Sequence, residues 1–242
     1  PKVIIENLLT TLGGFLIYSN GKFKIVPATY LSPTVTLNEN NLRTGVSINS
    51  RVSKKELFNA VKGLYSEPAN DFQPQNYPIL TNSSFESEDN NERIYAEFDY
   101  PFTNSSRMCQ RLSKIQLLKV RQQISFSASF DMTAFNCDVG DTVNITNARM
   151  GWTNKTFQVL DWGFGLNGSD GSLLITANFK ETASAIYDFT TRDYSTVSSG
   201  KATNLPKSTS VSAPTAITLT DELVSYNDGT VIVKLVIELT EA

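Results

Sequence analysis

Histidine is absent from the 242-residue chain. Because imidazole is the commonest general base and the commonest metal ligand, its absence excludes histidine-dependent catalysis and histidine-based metal sites. A serine nucleophile would lack its usual base, and the sequence contains no G-x-S-x-G elbow. A lysine base is the alternative that composition leaves open. We predict that the chain is not an enzyme and that it uses no cofactor and no metal.

Cysteine and long hydrophobic runs are also scarce. Cys109 and Cys137 are the two cysteines of the chain, and without CxxC spacing they predict free thiols rather than a disulfide framework or a zinc cluster. No apolar run approaches the roughly 18 to 20 residues that span a membrane. The chain starts with Pro1-Lys2-Val3, which is neither a signal peptide nor an initiator methionine, so we expect a piece of a longer protein.

An excess of positive charge is missing as well. The chain has 21 Lys and Arg against 24 Asp and Glu, for a net charge of −3. Phosphate contacts need a concentrated positive surface, so this balance predicts no dedicated nucleic-acid site. Hydrophobic residues make up 40% of the chain, which is enough to build one large or two modest cores.

The clearest positive pattern lies in residues 98–130. Pro101 biases Tyr100 toward an extended backbone, and Thr103 offers an N-cap oxygen for a helix over residues 104–121. Apolar residues then alternate with serines, which predicts a strand with one buried face. The apolar positions of that strand are Ile124, Phe126, Ala128 and Phe130.

The predicted helix has two distinct faces. Met108, Leu112 and Ile115 share one face, which we expect to enter a core. The neighbouring face carries a cationic row without any Asp or Glu between Thr103 and Gln123. This row is either a solvated surface or a contact with an acidic surface of another subunit. The candidate interface residues are Arg107, Arg111, Lys114 and Arg121.

Short strands and turns fill most of the remaining sequence. A helix over residues 3–12 precedes a hairpin whose turn contains Asn20-Gly21, a pair that tolerates the positive φ of a tight turn. Near the end of the chain, apolar residues alternate from Val231 to Leu239. We predict a mainly β, α+β fold with one prominent helix, built as a small antiparallel barrel or sandwich and followed by the first strands of a β-sandwich.

Composition shifts divide the chain into four predicted segments. Residues 1–48 would be the end of an upstream domain with a short helix and a hairpin, and residues 49–190 a barrel-like domain. Residues 191–212 are rich in Ser, Thr, Lys and Gly and predict a linker. Residues 213–242 would begin an incomplete further module.

Two features suggest an alternative function. Trp152 and Trp162 flank a strand and could form a platform for sugar rings, although aromatic residues on strands usually belong to the core. Loop carboxylates around Glu86 and Glu92 could serve catalysis, although such runs are usually solvated surface. The alternative is a carbohydrate-binding or glycan-degrading adhesin module.

Several motifs in a fixed order carry a resemblance. They are Asn20-Gly21-Lys22 in its hairpin, residues 57–65, and Pro101-Phe102-Thr103 leading into Arg111-Leu112-Ser113-Lys114. Over roughly residues 5 to 187 the chain resembles the tail-hub and tail tip attachment family of long-tailed, lambda-like bacteriophages. Ser113 stands where that family commonly has Ala, and residues 139–141 lack the Pro often found before Gly-Asp.

The resemblance implies a structural protein of the virion rather than an enzyme. It implies a homotrimeric ring at the tail tip, in which each subunit contributes two barrel-like domains to match a six-fold tail tube. One side of the ring would dock distal tail and tail tube proteins, and the other would carry modules that reach a host cell-surface receptor. Residues from Ala213 onward would begin a fibronectin type III module. The implied role is host attachment and genome delivery.

Overall fold

The computed structural model describes residues 2–19, 21–168, 171–196 and 216–240. The chain forms two compact units, Pro1–Val197 and Ser198–Ala242. The predicted linker, 191–212, lies mostly outside the described residues, as does the predicted start of the last module at residue 213. The four-segment division of the sequence stays a prediction.

The described part of the first unit combines three α-helices with thirteen strands. The helices are α1 (Lys2–Leu12), α2 (Ser83–Glu88) and α3 (Ser106–Arg121). The strands are β1 (Phe15–Ser19), β2 (Lys22–Val26), β3 (Val35–Asn38), β4 (Ser47–Asn49), β5 (Ala60–Lys62), β6 (Leu64–Glu67), β7 (Gln73–Asn76), β8 (Leu80–Thr81), β9 (Tyr95–Glu97), β10 (Ser125–Phe130), β11 (Thr142–Asn147), β12 (Trp152–Leu166) and β13 (Leu173–Glu181). None of the described helices has the length and the hydropathy needed to cross a membrane.

A six-stranded sheet with the order β3-β11-β12-β13-β10-β4 forms the larger layer. β3 pairs with β11 in parallel and the other pairs are antiparallel. Phe126, Ala128 and Phe130 of β10 are buried in its core, which confirms the predicted alternating strand. The mainly β, α+β prediction is confirmed, and the sheet stays open rather than closing into a barrel among the described residues.

The second layer is built around α3. Leu112 and Ile115 are each 2% exposed and pack into an aromatic cluster that includes Tyr65, Tyr77 and Tyr100. Met108 is partly buried against the same cluster. The predicted core face of the helix is therefore confirmed.

The helix begins two residues later than predicted. Ser105, not Thr103, is its N-cap, and the Ser105 Oγ accepts a hydrogen bond from the Met108 amide at 3.4 Å. Thr103 is buried, and its backbone is already used: its amide donates to the Tyr100 carbonyl and its carbonyl accepts from the Ser66 amide. These bonds hold Thr103 in a turn beside β6, so the helix starts only after it.

The hairpin of β1 and β2 is attached to the large sheet through the turn at residues 138–141. Ser19 and Lys22 flank the two-residue connection, in which Gly21 has a φ of 76°, as the predicted tight turn requires. The Ser19 hydroxyl donates to the Asp138 carboxylate at 2.8 Å. Gly140, with a φ of 88°, leaves room for the Ile17 side chain.

The second unit is described as one hairpin of β14 (Ala216–Ser225) and β15 (Val231–Thr240). Its register places Leu219 opposite Ile237 and Leu223 opposite Val233. These four side chains lie on one face, and each is at least 59% exposed. The predicted alternation of β15 is confirmed, and its assignment to a fibronectin type III module stays a prediction.

Truncating the core face of α3 should destabilise the first unit. We expect Leu112→Ala to lower the free energy of unfolding by about 2 to 5 kcal/mol, because it leaves a cavity among the tyrosines. Denaturant unfolding followed by far-UV circular dichroism measures this. The matched control is Leu8→Ala at a position that is 52% exposed, where we expect about 0.5 kcal/mol or less. Equal losses in the two variants would contradict the described packing.

Adding one methyl group at Gly140 should loosen the attached hairpin. A Cβ there would lie 2.8 Å from the Ile17 Cδ1 and 2.9 Å from the Val26 Cγ2. We expect Gly140→Ala to cost about 2 to 4 kcal/mol of stability, from backbone strain and overpacking together.

Gly151→Ala separates these two causes. Gly151 also has a positive φ, 69°, but a Cβ there meets nothing within 4 Å. We expect this control to cost about 1 kcal/mol, which is the backbone strain alone. If Gly140→Ala and Gly151→Ala lose the same stability, overpacking against the hairpin does not contribute to the loss at Gly140.

Candidate assembly surfaces

Arg121, at the C-terminal end of α3, is occupied within its own subunit. Its guanidinium is 7% exposed and donates to the Asp89 carboxylate, to which it is paired, and to the Phe58 carbonyl at 3.1 Å. It also lies 4.8 Å from the centre of the Phe85 ring. A charge this buried needs a paired partner. Arg121 therefore fastens α3 to the segment that contains α2.

Asn59 completes this polar cluster. It is fully buried, donates to the Asp89 carboxylate at 2.9 Å and to the Glu92 carbonyl at 2.7 Å, and accepts from the Ile94 amide at 2.8 Å. The hydrogen bond from Arg121 lowers the pKa of Asp89, which keeps this carboxylate ionised near neutral pH.

Lys114 also has partners within its own subunit. Its Nζ lies 2.8 Å from the Asp193 carboxylate and donates to the Asp188 carbonyl at 3.0 Å. The hydrogen bond from Lys114 lowers the pKa of Asp193 to about 2. Gln110, which is 2% exposed, exchanges hydrogen bonds with the backbone of Ser195. These contacts hold the segment at residues 188–195 against α3.

Arg107 and Arg111 are the two predicted residues whose charge is unmatched. No described carboxylate lies within 4 Å of either guanidinium, and Arg107 instead lies 4.7 Å from the centre of the Tyr194 ring. Both arginines line a cleft of about 350 Å³, here called the arginine cleft. Its lining residues are Ser105, Arg107, Met108, Arg111, Tyr187 and Phe189.

A second surface was not identified from the sequence. No residue of α1 is buried, and Val3, Ile4 and Leu8 are 67%, 58% and 52% exposed. On the β1–β2 hairpin, Tyr18 and Phe23 are 66% and 72% exposed. The signal was present in the sequence, because Ile4, Ile5, Leu8, Leu9 and Leu12 form one apolar stripe along α1, and the described residues do not bury it.

A cleft of about 650 Å³ connects the helix to the hairpin. Ile5 and Leu9 of α1 line it together with Leu16 of β1, and Phe98 and Tyr100 lie on its other side. We call this cleft, together with the exposed apolar side chains of α1 and the hairpin, the apolar surface. Its exposed members are Val3, Ile4, Ile5, Leu8, Leu16, Tyr18, Phe23 and Ile25.

The two tryptophans that suggested a carbohydrate-binding alternative lie against the core of the large sheet. Trp152 and Trp162 are partly buried and pack against the core of the large sheet. The Trp152 ring contacts Phe126 and Phe157, with ring centres 5.4 Å and 5.0 Å apart. Both indoles therefore act as core residues, and the carbohydrate-binding alternative loses its main support.

Two of the loop carboxylates have ion-pair partners in the part of the chain that is described. Glu86 is paired with Arg93 at 2.8 Å, and Asp89 is paired with Arg121. No group of three or more Asp, Glu or Cys residues is arranged to hold a metal ion within the described ranges.

Family comparison decides the class of protein. A model of the putative phage tail protein family matches residues 1–162. The chain belongs to this phage tail protein family. No curated protein matches the chain.

A chain of a solved virion structure has a fold similar to that of the tail protein. A chain of the virion of a native gene transfer agent particle matches with a TM-score of 0.57 and 14% identity, covering 77% of this chain and 40% of that one. The 43 kDa tail protein of prophage MuSo2 from Shewanella oneidensis matches with a TM-score of 0.47 and 12% identity, covering 74% and 50%. Prophage tail protein gp18 from Listeria monocytogenes EGD-e has a TM-score of 0.38 and 17% identity, covering 76% and 54%. The tail protein thus spans about half the length of these solved chains.

The Lys114–Asp193 pair predicts an acid-dependent loss of stability. A carboxyl whose folded pKa is lowered contributes stability that is complete above its unfolded pKa near 4 and disappears as the pH falls toward the folded value. We expect Asp193→Asn to lower the free energy of unfolding at pH 7 by about 1 to 2 kcal/mol, since the pair is partly exposed. The difference from the wild type should shrink between about pH 4 and pH 2.

Asp161→Asn is the matched control, because Asp161 is exposed and has no described ion pair. Denaturant unfolding at several pH values measures both variants. A constant difference between Asp193→Asn and the wild type across this range would show that the ion pair does not stabilise the fold.

Proposed function

We propose that the tail protein is a structural subunit of the phage tail tip, where three copies form a hub that joins the tail tube to receptor-binding modules. Its membership in a phage tail family supports a structural role in the virion. The ordered hairpin, helix and strand motifs that resemble tail-hub proteins support the position at the tip. In this role the protein takes part in host attachment and genome delivery without catalysing a reaction.

The observation that carries this proposal is the apolar surface. Soluble monomers rarely expose large contiguous apolar patches, and such patches usually mark contacts with other proteins. Eight exposed apolar side chains on α1 and the β1–β2 hairpin form this surface, and Phe23 alone is 72% exposed. Burying them against neighbouring tail subunits would stabilise assembly by the same effect that stabilises a core.

The cationic residues of α3 supply a second contact in this proposal. We assign the subunit interface to the arginine cleft, since Arg121 and Lys114 are paired within their own subunit. In the N-terminal half of the helix Arg107 is exposed and Arg111 is half-buried, and neither has a described acidic partner. Their charge is therefore available to an adjacent subunit.

The second unit supports the proposed link to receptor-binding modules. Its hairpin has one mainly apolar face, in which Asp221 lies opposite Leu235, and a two-stranded hairpin is marginal on its own. We propose that this hairpin begins the module through which the hub reaches a host receptor. Expression with successive downstream segments tests this, because an added segment that covers the face should protect the β14 and β15 amides from hydrogen exchange.

Light scattering of the full chain tests the hub directly. A trimer would have three times the 26.7 kDa mass of the monomer. We expect this species at micromolar concentrations, and we expect it to be retained on immobilised tail tube protein. A chain that stays monomeric at every concentration and never binds tail tube protein would refute the proposed function.

Charges placed on the apolar surface should weaken assembly without unfolding the subunit. We expect Ile4→Glu combined with Leu8→Glu to reduce retention on tail tube protein at least about tenfold, because two carboxylates would have to be buried in the contact. Thermal unfolding should shift little, since both side chains are exposed in the subunit. Thr44→Glu combined with Thr153→Glu is the control, because it adds the same charge at two exposed positions outside the apolar surface, and we expect normal retention. Normal retention of the double variant would exclude this surface from the contact.

A further inference from the structure

The arginine cleft is built to receive carboxylates. Arg107 and Arg111 are four residues apart on α3, so their side chains are neighbours on the helix surface. Guanidinium groups bind carboxylates through charge-assisted hydrogen bonds, often two at a time. The walls of the cleft are aromatic and apolar, with Tyr187 and Phe189 beside Met108. A partner that enters this cleft should therefore present two carboxylates close together.

The same chain carries such a group in the turn after α2, residues 88–92, here called the acidic turn. Glu88 is 65% exposed and Glu92 is also exposed. Glu88 reaches Arg121 only at 3.9 Å, while Arg121 has Asp89 as its main partner. Backbone hydrogen bonds from the Asn91 and Glu92 amides keep the turn compact. The acidic turn is thus a preformed carboxylate surface with little internal compensation.

The cleft and the turn lie at opposite ends of the same helix. Arg121 fixes the acidic turn at the C-terminal end of α3, whereas Arg107 and Arg111 lie toward the N-terminal end. With a rise of about 1.5 Å per residue, Arg107 and Arg121 are roughly 21 Å apart. The rigid helix prevents the acidic turn from reaching the cleft of its own subunit. It leaves both surfaces available to other copies.

We infer that the arginine cleft of one copy binds the acidic turn of the next copy, head to tail, around the hub. This inference rests on the proposed function, because it names the contact through which the copies join. A contact between two different surfaces is heterologous, and a heterologous contact closes into a ring when the rotation between copies allows it. The arginine cleft lies at the N-terminal half of α3, and Arg121 holds the acidic turn beside the C-terminal end of the helix. These two surfaces of opposite charge supply the complementarity that such a ring requires.

Charge reversal tests the contact from both sides. The cleft variant carries Arg107→Glu and Arg111→Glu, and the turn variant carries Glu88→Lys and Glu92→Lys. We expect each to weaken self-association by about 100-fold or more at about 50 mM salt, because like charges then face each other. The quadruple variant with all four reversals should recover the wild-type trimer. Light scattering and sedimentation velocity measure the species formed.

Mixing the two double variants gives a parity test of the ring. The reversed cleft of the cleft variant matches the reversed turn of the turn variant, and the native cleft of the turn variant matches the native turn of the cleft variant. Every contact is therefore complementary only when the two variants alternate around the ring. An odd ring cannot alternate throughout, so a mixed trimer keeps one mismatched contact out of three. We therefore expect the mixture to associate more tightly than either double variant alone and less tightly than the quadruple variant. A mixture that associates no more tightly than the separate variants would refute the head-to-tail contact.

Two controls separate misfolding from lost contact. Glu56→Lys combined with Glu222→Lys makes the same change of charge at exposed positions outside the acidic turn, and we expect it to leave the trimer intact. Glu92→Lys alone avoids any effect on Arg121, and we expect it to weaken association while thermal unfolding stays unchanged.

The outcomes distinguish this inference from the proposed function. A wild-type trimer that survives both double reversals, or a folded quadruple variant that stays monomeric, overturns the cleft-to-turn contact and leaves the hub intact. A wild-type chain that never associates and never binds tail tube protein overturns the hub itself. Loss in both double variants with recovery in the quadruple variant supports the inference.

Discussion

The packing of α3 into the tyrosine cluster is the contact on which the other features of the first unit depend. Leu112 and Ile115 fix the rotation of the helix about its axis, because both must face the cluster. Once that rotation is set, Arg121 points toward Asp89 and Lys114 toward Asp193. Arg107 and Arg111 then line the arginine cleft without a described acidic partner. The orientation of α3 therefore determines which ion pairs form within the subunit and which charged side chains remain for a partner.

Local patterns in the sequence predicted those features that depend on neighbouring residues. The core face of α3 follows from helical periodicity, and the first hairpin follows from Asn20-Gly21 with alternating strands beside it. The start of α3 was misplaced because the Thr103 backbone bonds to Tyr100 and to Ser66, which lies in another strand. Such a bond cannot be recognised in the residues next to the helix.

Long-range pairing explains the other differences between sequence and structure. The segment at residues 67–87 is rich in Pro, Asn and Ser, yet it contains β7, β8 and α2. β7 pairs with the adjacent β6, whereas β8 pairs with β5 on the far side of that hairpin in the chain. Arg121 was grouped with the surface cations because helical spacing places it on their face. Its partner Asp89 lies 32 residues earlier in the chain. Periodicity shows which face a residue occupies, but it does not show which distant carboxylate covers that face.

Apolar and charged surfaces contribute differently to assembly. Apolar burial is strong but not directional, so the exposed side chains of α1 and the hairpin could bind in several registers. Charged pairs at an interface add less affinity, and they fix orientation and reject wrong registers. A subunit of the proposed tail-tip ring would need both, because such a ring must be tight and must contain a fixed number of copies. In this proposal the apolar surface would supply affinity, and the arginine cleft and the acidic turn would supply direction.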